Sequence, residues 1–185
     1  MIMKEISLHI LDIVQNSISA GAKLVSISVD IENEEDMMRI VIDDDGCGMD
    51  EETAARVLSP FATSRTTRKV GLGIPFFKEA AEGCGGSFAL TSSPGVGTRV
   101  YASFRLSNID RPPLGDMAET MLTLTACNEN VDFVYRYTVD KTEFVFDTRQ
   151  IREILGADIA HTTPDVMAWM KGFLSQGIQE LSGGA

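Results

Sequence analysis

A chain of 185 residues with 44% hydrophobic and 23% charged residues has the balance of a globular protein that buries a real core, enough for one domain or one domain with a small appendage. Its formal net charge of −11 argues against a general nucleic-acid or anionic-membrane binder, because both need basic surface. Three scattered cysteines, Cys47, Cys84 and Cys127, show neither zinc spacing nor a disulfide framework, so the expected setting is a reducing cytoplasm.

In chain order, residues 3–20 predict a helix, with Ile6, Ile10, Ile13 and Val14 at helical spacing and Gly21 just past its end. His9 and Asp12 interrupt its apolar run and no cleavage site follows, so no signal peptide is expected; no run approaches the ~20 residues that span a bilayer. Val25, Ile27, Val29 and Ile31 alternate with polar residues, and so do Met38, Ile40 and Ile42, which predicts a hairpin around 33–36. Asp50 is placed to cap a short helix that carries Glu51 and Glu52 in its first turn. A further helix opens near Pro75 and closes at 83–86, and strands follow over 88–91 and 96–106. Residues 108–117 read as a linker between a domain at 1–107 and an extension at 118–185. In that extension 118–127, 131–139 and 142–147 read as a small antiparallel meander, followed by one helix after Thr148 and another over 164–181 capped by Thr163. Met170, Trp169 and Phe173 read as core, and His9 as a packed or surface histidine rather than a catalytic one.

Three strings carry chemistry. Asp44-Asp45-Gly46-Cys47-Gly48-Met49 directly follows a strand, and its glycines let backbone approach a ligand closely; alone, it is equally a strand-end turn. Gly71-Leu72-Gly73-Ile74 opens a helix, where free N–H groups and the positive helix end suit phosphates, although a plain turn would look the same. Asp12 and Asn16, four residues apart, share one face of the first helix: a carboxylate that could orient or deprotonate water beside an amide oxygen that suits Mg²⁺, or two residues that simply face solvent.

Taken in order, these strings resemble the boxes of the GHKL (Bergerat) superfamily, which includes gyrase, MutL, large heat-shock chaperones and histidine kinases. Residues 11–22 resemble its N box, in the MutL manner; 44–48 resemble the first glycine box; 71–74, continuing through 85–87 to 95–98, look like the histidine-kinase form of the later boxes. The resemblance implies an α/β (α+β) two-layer sandwich, a mixed sheet with helices on one face, with the C-terminal α+β appendage beside it. It also implies ATP and Mg²⁺ as ligands. By position Asp44 would accept from the adenine amine, which guanine lacks; Gly46 and Gly48 would admit the base; Met49 would pack near it; Ala20 would leave it room; and Thr98 would support it through its hydroxyl. Asn16 would hold the metal. Thr63, Arg65 and Lys69 fall in the lid expected over 62–70, and Gly71, Leu72, Gly73 and Ile74 would line the phosphates. From Thr53 to Lys78 the chain has five basic residues and no acidic one, a patch that suits a polyphosphate, although chance clustering on a solvated loop would look the same.

Two functions are expected to compete: a regulatory module that hydrolyses ATP slowly or passes phosphate to a separate protein, and an ATP-gated clamp like MutL or gyrase that controls association with a partner. The helix carrying the N box starts almost at Met1, so a self-phosphorylating histidine hairpin is not expected upstream. Asp12 is shorter by about one C–C bond, ~1.5 Å, than the glutamate of gyrase-like enzymes, which predicts slow hydrolysis.

Overall fold

The computed structural model describes residues 5–59, 73–156 and 162–182. Helix α1 spans Ile6–Ser19 and buries Ile6, Ile10, Ile13 and Val14 along one stripe. It stops where Gly21 takes φ +83°, a left-handed turn that a side chain would resist. Strands β1 (Leu24–Glu32) and β2 (Met37–Asp44) form the expected hairpin, with Ile27 opposite Ile42 and Val29 opposite Ile40. Helix α2 (Glu51–Val57) begins where the Asp50 carboxylate accepts the Thr53 N–H at 2.8 Å. Helix α3 (Gly73–Gly83) buries Phe77 and Ala81, and β3 (Phe88–Ser93) and β4 (Gly97–Arg105) extend the sheet antiparallel beyond β2.

The strand expected over 118–127 is instead helix α4, Met117–Cys127. Its threonines suggest a strand, but Thr120 and Thr125 donate their hydroxyls to the carbonyls of Asp116 and Met121, four residues back, at 2.7 and 2.8 Å. Met117, Met121 and Leu124 then fall on one buried face, and Asp116 caps the first turn by accepting the Glu119 N–H. Nor do the next two strands stand apart as a meander. They do pair as a hairpin, β5 (Asp132–Val139) with β6 (Thr142–Asp147), but β5 also runs parallel to β1, with Val25 opposite Phe133 and Ile27 opposite Tyr135. The result is one six-stranded mixed sheet in the order β3-β4-β2-β1-β5-β6.

Helix α5 (Thr148–Leu155) packs on β5, and α6 (Pro164–Ser182) packs on β5, β6 and α4. Helices α3, α1, α4 and α6 touch in succession and cover one face of the sheet, where Ile27, Ile40, Phe104 and Tyr135 are fully buried. The other face carries polar side chains tied in ion pairs, among them Arg99–Asp43 at 2.9 Å and Arg136–Glu143 at 2.8 Å. This is a two-layer α/β arrangement. Met170 is core as expected, whereas Trp169 and Phe173 are not: they stack on each other at 5.3 Å on the outside of α6, half-exposed, with Phe144 against Phe173. Among the described residues no helix is long and apolar enough to cross a membrane.

Candidate functional site

The end of β2 delivers Asp44 to the C-terminal end of α1. There its Oδ2 accepts the Ser17 hydroxyl at 2.6 Å and its Oδ1 accepts the Gly46 N–H at 2.9 Å, so the carboxylate is held from two sides while keeping further lone pairs. The loop that follows is bound to the same helix end, because the Cys47 N–H donates to the Ala20 carbonyl at 2.9 Å. A Cβ at Gly46 would lie 2.9 Å from Asp44 Oδ1 and 3.1 Å from the Ala20 Cβ. Glycine and alanine at these two positions therefore leave the carboxylate uncovered, and larger side chains would close over it.

Gly48 holds the loop against β3. It has φ +65°, and a Cβ there would sit 1.9 Å from the Ser93 carbonyl oxygen, so the position admits only glycine. The Gly95 N–H closes the contact by donating to the Cys47 carbonyl at 2.8 Å. Met49 follows, packed on the edge of the core, with its N–H donated to Ser92 Oγ at 2.8 Å. Thr98 pairs with Asp44 across β2 and β4 and with Ser92 across β3 and β4, so Asp44, Thr98 and Ser92 form one row on the helix-covered side of the sheet.

On the other side of α1, facing α3, stand Asp12 and Asn16. A Cβ at Gly73 would lie 1.8 Å from Asp12 Oδ2, which puts this carboxylate directly against the start of α3. One turn further along, His9 stacks on Phe77 with ring centroids 5.4 Å apart; it is buried, and its Nδ1 has no partner among the described residues. Burial holds its pKa below the ordinary value of 6.5, opposed by the nearby Asp12 charge. The Asn16 Nδ2 is likewise buried, and it has no hydrogen-bond partner among the described residues. Among the described residues no group of three or more His, Cys, Asp or Glu could hold a metal. An Asn16 amide nonetheless suits Mg²⁺, which keeps most of its ligands as water and substrate phosphate and takes few from protein.

The structure thus brings Ala20, Asp44, Gly46, Gly48, Met49 and Thr98 together at one end of α1, and Asp12, Asn16 and Gly73 along its α3-facing side. Ile74 is buried in the core. Thr63, Arg65, Lys69, Gly71 and Leu72 lie outside the described residues. Sequence reasoning passed over Ser17 and Ser92. Ser17 had a legible signal, a serine four residues after Ile13 on the buried stripe of α1; Ser92, inside Thr-Ser-Ser-Pro, reads as a turn residue.

Residues 4–108 match the sequence family described as histidine kinase-, DNA gyrase B-, and HSP90-like ATPase. The virulence sensor protein BvgS of Bordetella bronchiseptica (strain ATCC BAA-588 / NCTC 13252 / RB50) is 26% identical over 97 residues, which is 49% of this chain but 8% of that protein. Among solved structures, the N-terminal domain of a DNA repair protein superposes with TM-score 0.52 at 15% identity, covering 84% of this chain and 58% of that one. The MutL ATPase domain of Aquifex aeolicus, complexed with ADP, superposes with TM-score 0.51 at 14% identity, covering 83% of this chain and 69% of that one.

Proposed function

Because the chain belongs to the family of histidine kinase-, DNA gyrase B- and HSP90-like ATPases, with an ATP-binding domain of that type, we propose that it is a Mg-ATP-binding regulatory module that hydrolyses ATP slowly or passes phosphate to a separate protein. The observation that carries the reading is the Asp44 carboxylate, fixed by Ser17 and Gly46 and left uncovered by Ala20 and Gly46. As an acceptor it takes a hydrogen bond from an exocyclic amine at position 6 of a purine. A carbonyl there would face it acceptor to acceptor, and a buried mismatch of that kind discriminates strongly.

From the base, α1 leads to Asn16, whose amide would hold the metal, and one turn on to Asp12. Mg²⁺ held there would supply charge neutralisation to the bound phosphates. At the start of α3 Gly73 places no side chain against Asp12, and there the carboxylate orients a water or an acceptor hydroxyl and takes its proton. Arg65 and Lys69 add positive charge in the sequence between α2 and α3. A role in regulation is supported by the sensor protein to which half of this chain is similar, in which such a module is a small part of a longer chain.

One observation favours a second reading, an ATP-gated clamp. The likeness to the MutL fold covers 83% of the chain and so reaches past residue 108 into the elements after β4. Incubation with γ-labelled ATP, alone and with cell extract, separates the two when combined with sedimentation in the presence of a non-hydrolysable ATP analogue. Label on another protein, or slow release of free phosphate without a change of mass, supports the regulatory module. Nucleotide-dependent doubling of mass supports the clamp, and no binding of adenine nucleotide at all overturns both.

A further inference from the structure

The row Asp44, Thr98, Ser92 has a hydrogen-bond bookkeeping with only one solution. Ser92 Oγ has three partners: the Met49 N–H at 2.8 Å, the Gly97 carbonyl at 2.9 Å and Thr98 Oγ1 at 2.9 Å. A hydroxyl carries one proton and two lone pairs. The Met49 N–H can only donate, so it occupies one lone pair. The Gly97 carbonyl can only accept, so it takes the single proton. Ser92 therefore has only a lone pair left for Thr98, and Thr98 must be the donor. Its one proton is directed at Ser92, and what Thr98 turns elsewhere is lone pairs.

Thr98 is half-buried, directly beside Asp44 in the register of β2 and β4, and among the described residues its hydroxyl has no partner besides Ser92. Asp44, as a carboxylate, also offers only lone pairs. We infer that Ser92, which the ligand need not touch, is a specificity-determining residue: by holding the Thr98 proton it makes the whole Asp44–Thr98 wall an acceptor surface and so selects purines that carry an amine, and not a carbonyl, at position 6. The inference rests on the reading of Asp44 as the base-recognising residue and adds to it a second acceptor with a fixed polarity. A free Thr98 hydroxyl would rotate and donate to a 6-carbonyl; a Thr98 locked by Ser92 has no proton to give.

The test is calorimetric binding of ADP and of inosine diphosphate, which exchanges the 6-amine for a carbonyl, and the N1 lone pair for an N1–H, without adding the 2-amine of guanine. In the wild type, ADP is expected to bind and inosine diphosphate to bind at least 100-fold more weakly. Ser92→Ala removes the acceptor for the Thr98 proton and is expected to narrow that ratio about tenfold, mostly by tighter binding of inosine diphosphate. Ser92→Thr keeps a hydroxyl and is expected to restore the ratio. In a Thr98→Val background, Ser92→Ala is expected to leave the ratio unchanged, because the residue acts through Thr98. Ser92→Cys, nearly isosteric but a weak acceptor, gives the same answer as Ser92→Ala and serves if the alanine variant does not fold. A wild type that binds neither nucleotide, or both equally, overturns the reading of Asp44. A wild type that discriminates, with Ser92→Ala and Ser92→Cys discriminating equally well or losing both nucleotides in proportion, overturns the inference about Ser92 alone.

Discussion

Replacing Gly48 by alanine probes how the loop after β2 is held, and its cost has two separable parts. Gly48 has φ +65°, where an L-residue is disfavoured by roughly 1–2 kcal/mol. The new Cβ would also lie 1.9 Å from the Ser93 carbonyl oxygen, and that oxygen belongs to backbone paired with Gly97 at the end of β3, so it cannot rotate away. Moving apart by more than 1 Å breaks the local pairing and adds roughly 1–3 kcal/mol. Two other glycines separate these parts. Gly95 has φ +75° and no atom of the described residues within 4 Å of a new Cβ, so Gly95→Ala carries the backbone cost alone. Gly83, at the end of α3, also meets none of the described residues within 4 Å and has no positive φ, so Gly83→Ala is expected to be neutral or slightly stabilising. For a chain of this size each kcal/mol moves the melting temperature by about 2–4 °C. Thermal unfolding followed by circular dichroism is expected to rank the variants with Gly48→Ala lowest, its loss exceeding that of Gly95→Ala by about 2–12 °C, and Gly83→Ala beside the wild type. Equal melting of Gly48→Ala and Gly95→Ala would refute the close approach of the loop to β3.

Asp12→Asn is expected to keep nucleotide affinity and lose about 10²–10⁴-fold in turnover, measured by phosphate release, because the amide cannot take a proton; an unchanged rate excludes Asp12 as the base. Asn16→Ala is expected to abolish the Mg²⁺ dependence of ATP binding in titrations with and without the metal while leaving circular dichroism unchanged; retained Mg²⁺ dependence excludes Asn16 as the metal residue. His9 gives a pH dependence of defined sign. Its folded pKa is lowered by burial, so below pH 6.5 the unfolded chain binds a proton that the folded one refuses, and stability falls until the pH passes the folded value. His9→Phe keeps the stack on Phe77 and is expected to flatten that part of the curve of urea midpoint against pH between 7.5 and 5; an unchanged slope would mean that another group dominates it.

The parts of the fold that were legible in the sequence are those set by local pattern. Alternation placed β1 and β2, the Asp50 cap placed α2, and Gly21 placed the end of α1. The candidate site was legible as a cluster where a strand end, a glycine and a carboxylate coincide, at Asp44, Gly46 and Gly48, which the fold brings together. Helix α4 was not, because its threonines satisfy their hydroxyls within the helix and so mimic a strand composition. The parallel pairing of β5 with β1 was hidden for a different reason: nothing in the alternation of residues 132–139 says which distant edge they will find. Ser92 illustrates the same limit inside the site, since its importance lies in three partners from 49, 97 and 98 that only the folded sheet assembles.

The position of β1 between β2 and β5 has a consequence for how the chain is made. The β2 side of β1 is closed by a short hairpin almost as soon as both strands exist, but its other side waits for a strand about a hundred residues later, some 5–20 s at ordinary synthesis rates. Until then Leu24–Ile31 is an open edge, rich in Val and Ile, and an open edge pairs with any strand that reaches it, including the same segment of a neighbouring nascent chain. Asp30 and Glu32 and the neighbouring Lys23 are the only charges along it, so the window before β5 docks is the stage at which this protein is most exposed to self-association, and slowing translation between β4 and β5 should lower its soluble yield more than slowing it anywhere after β6.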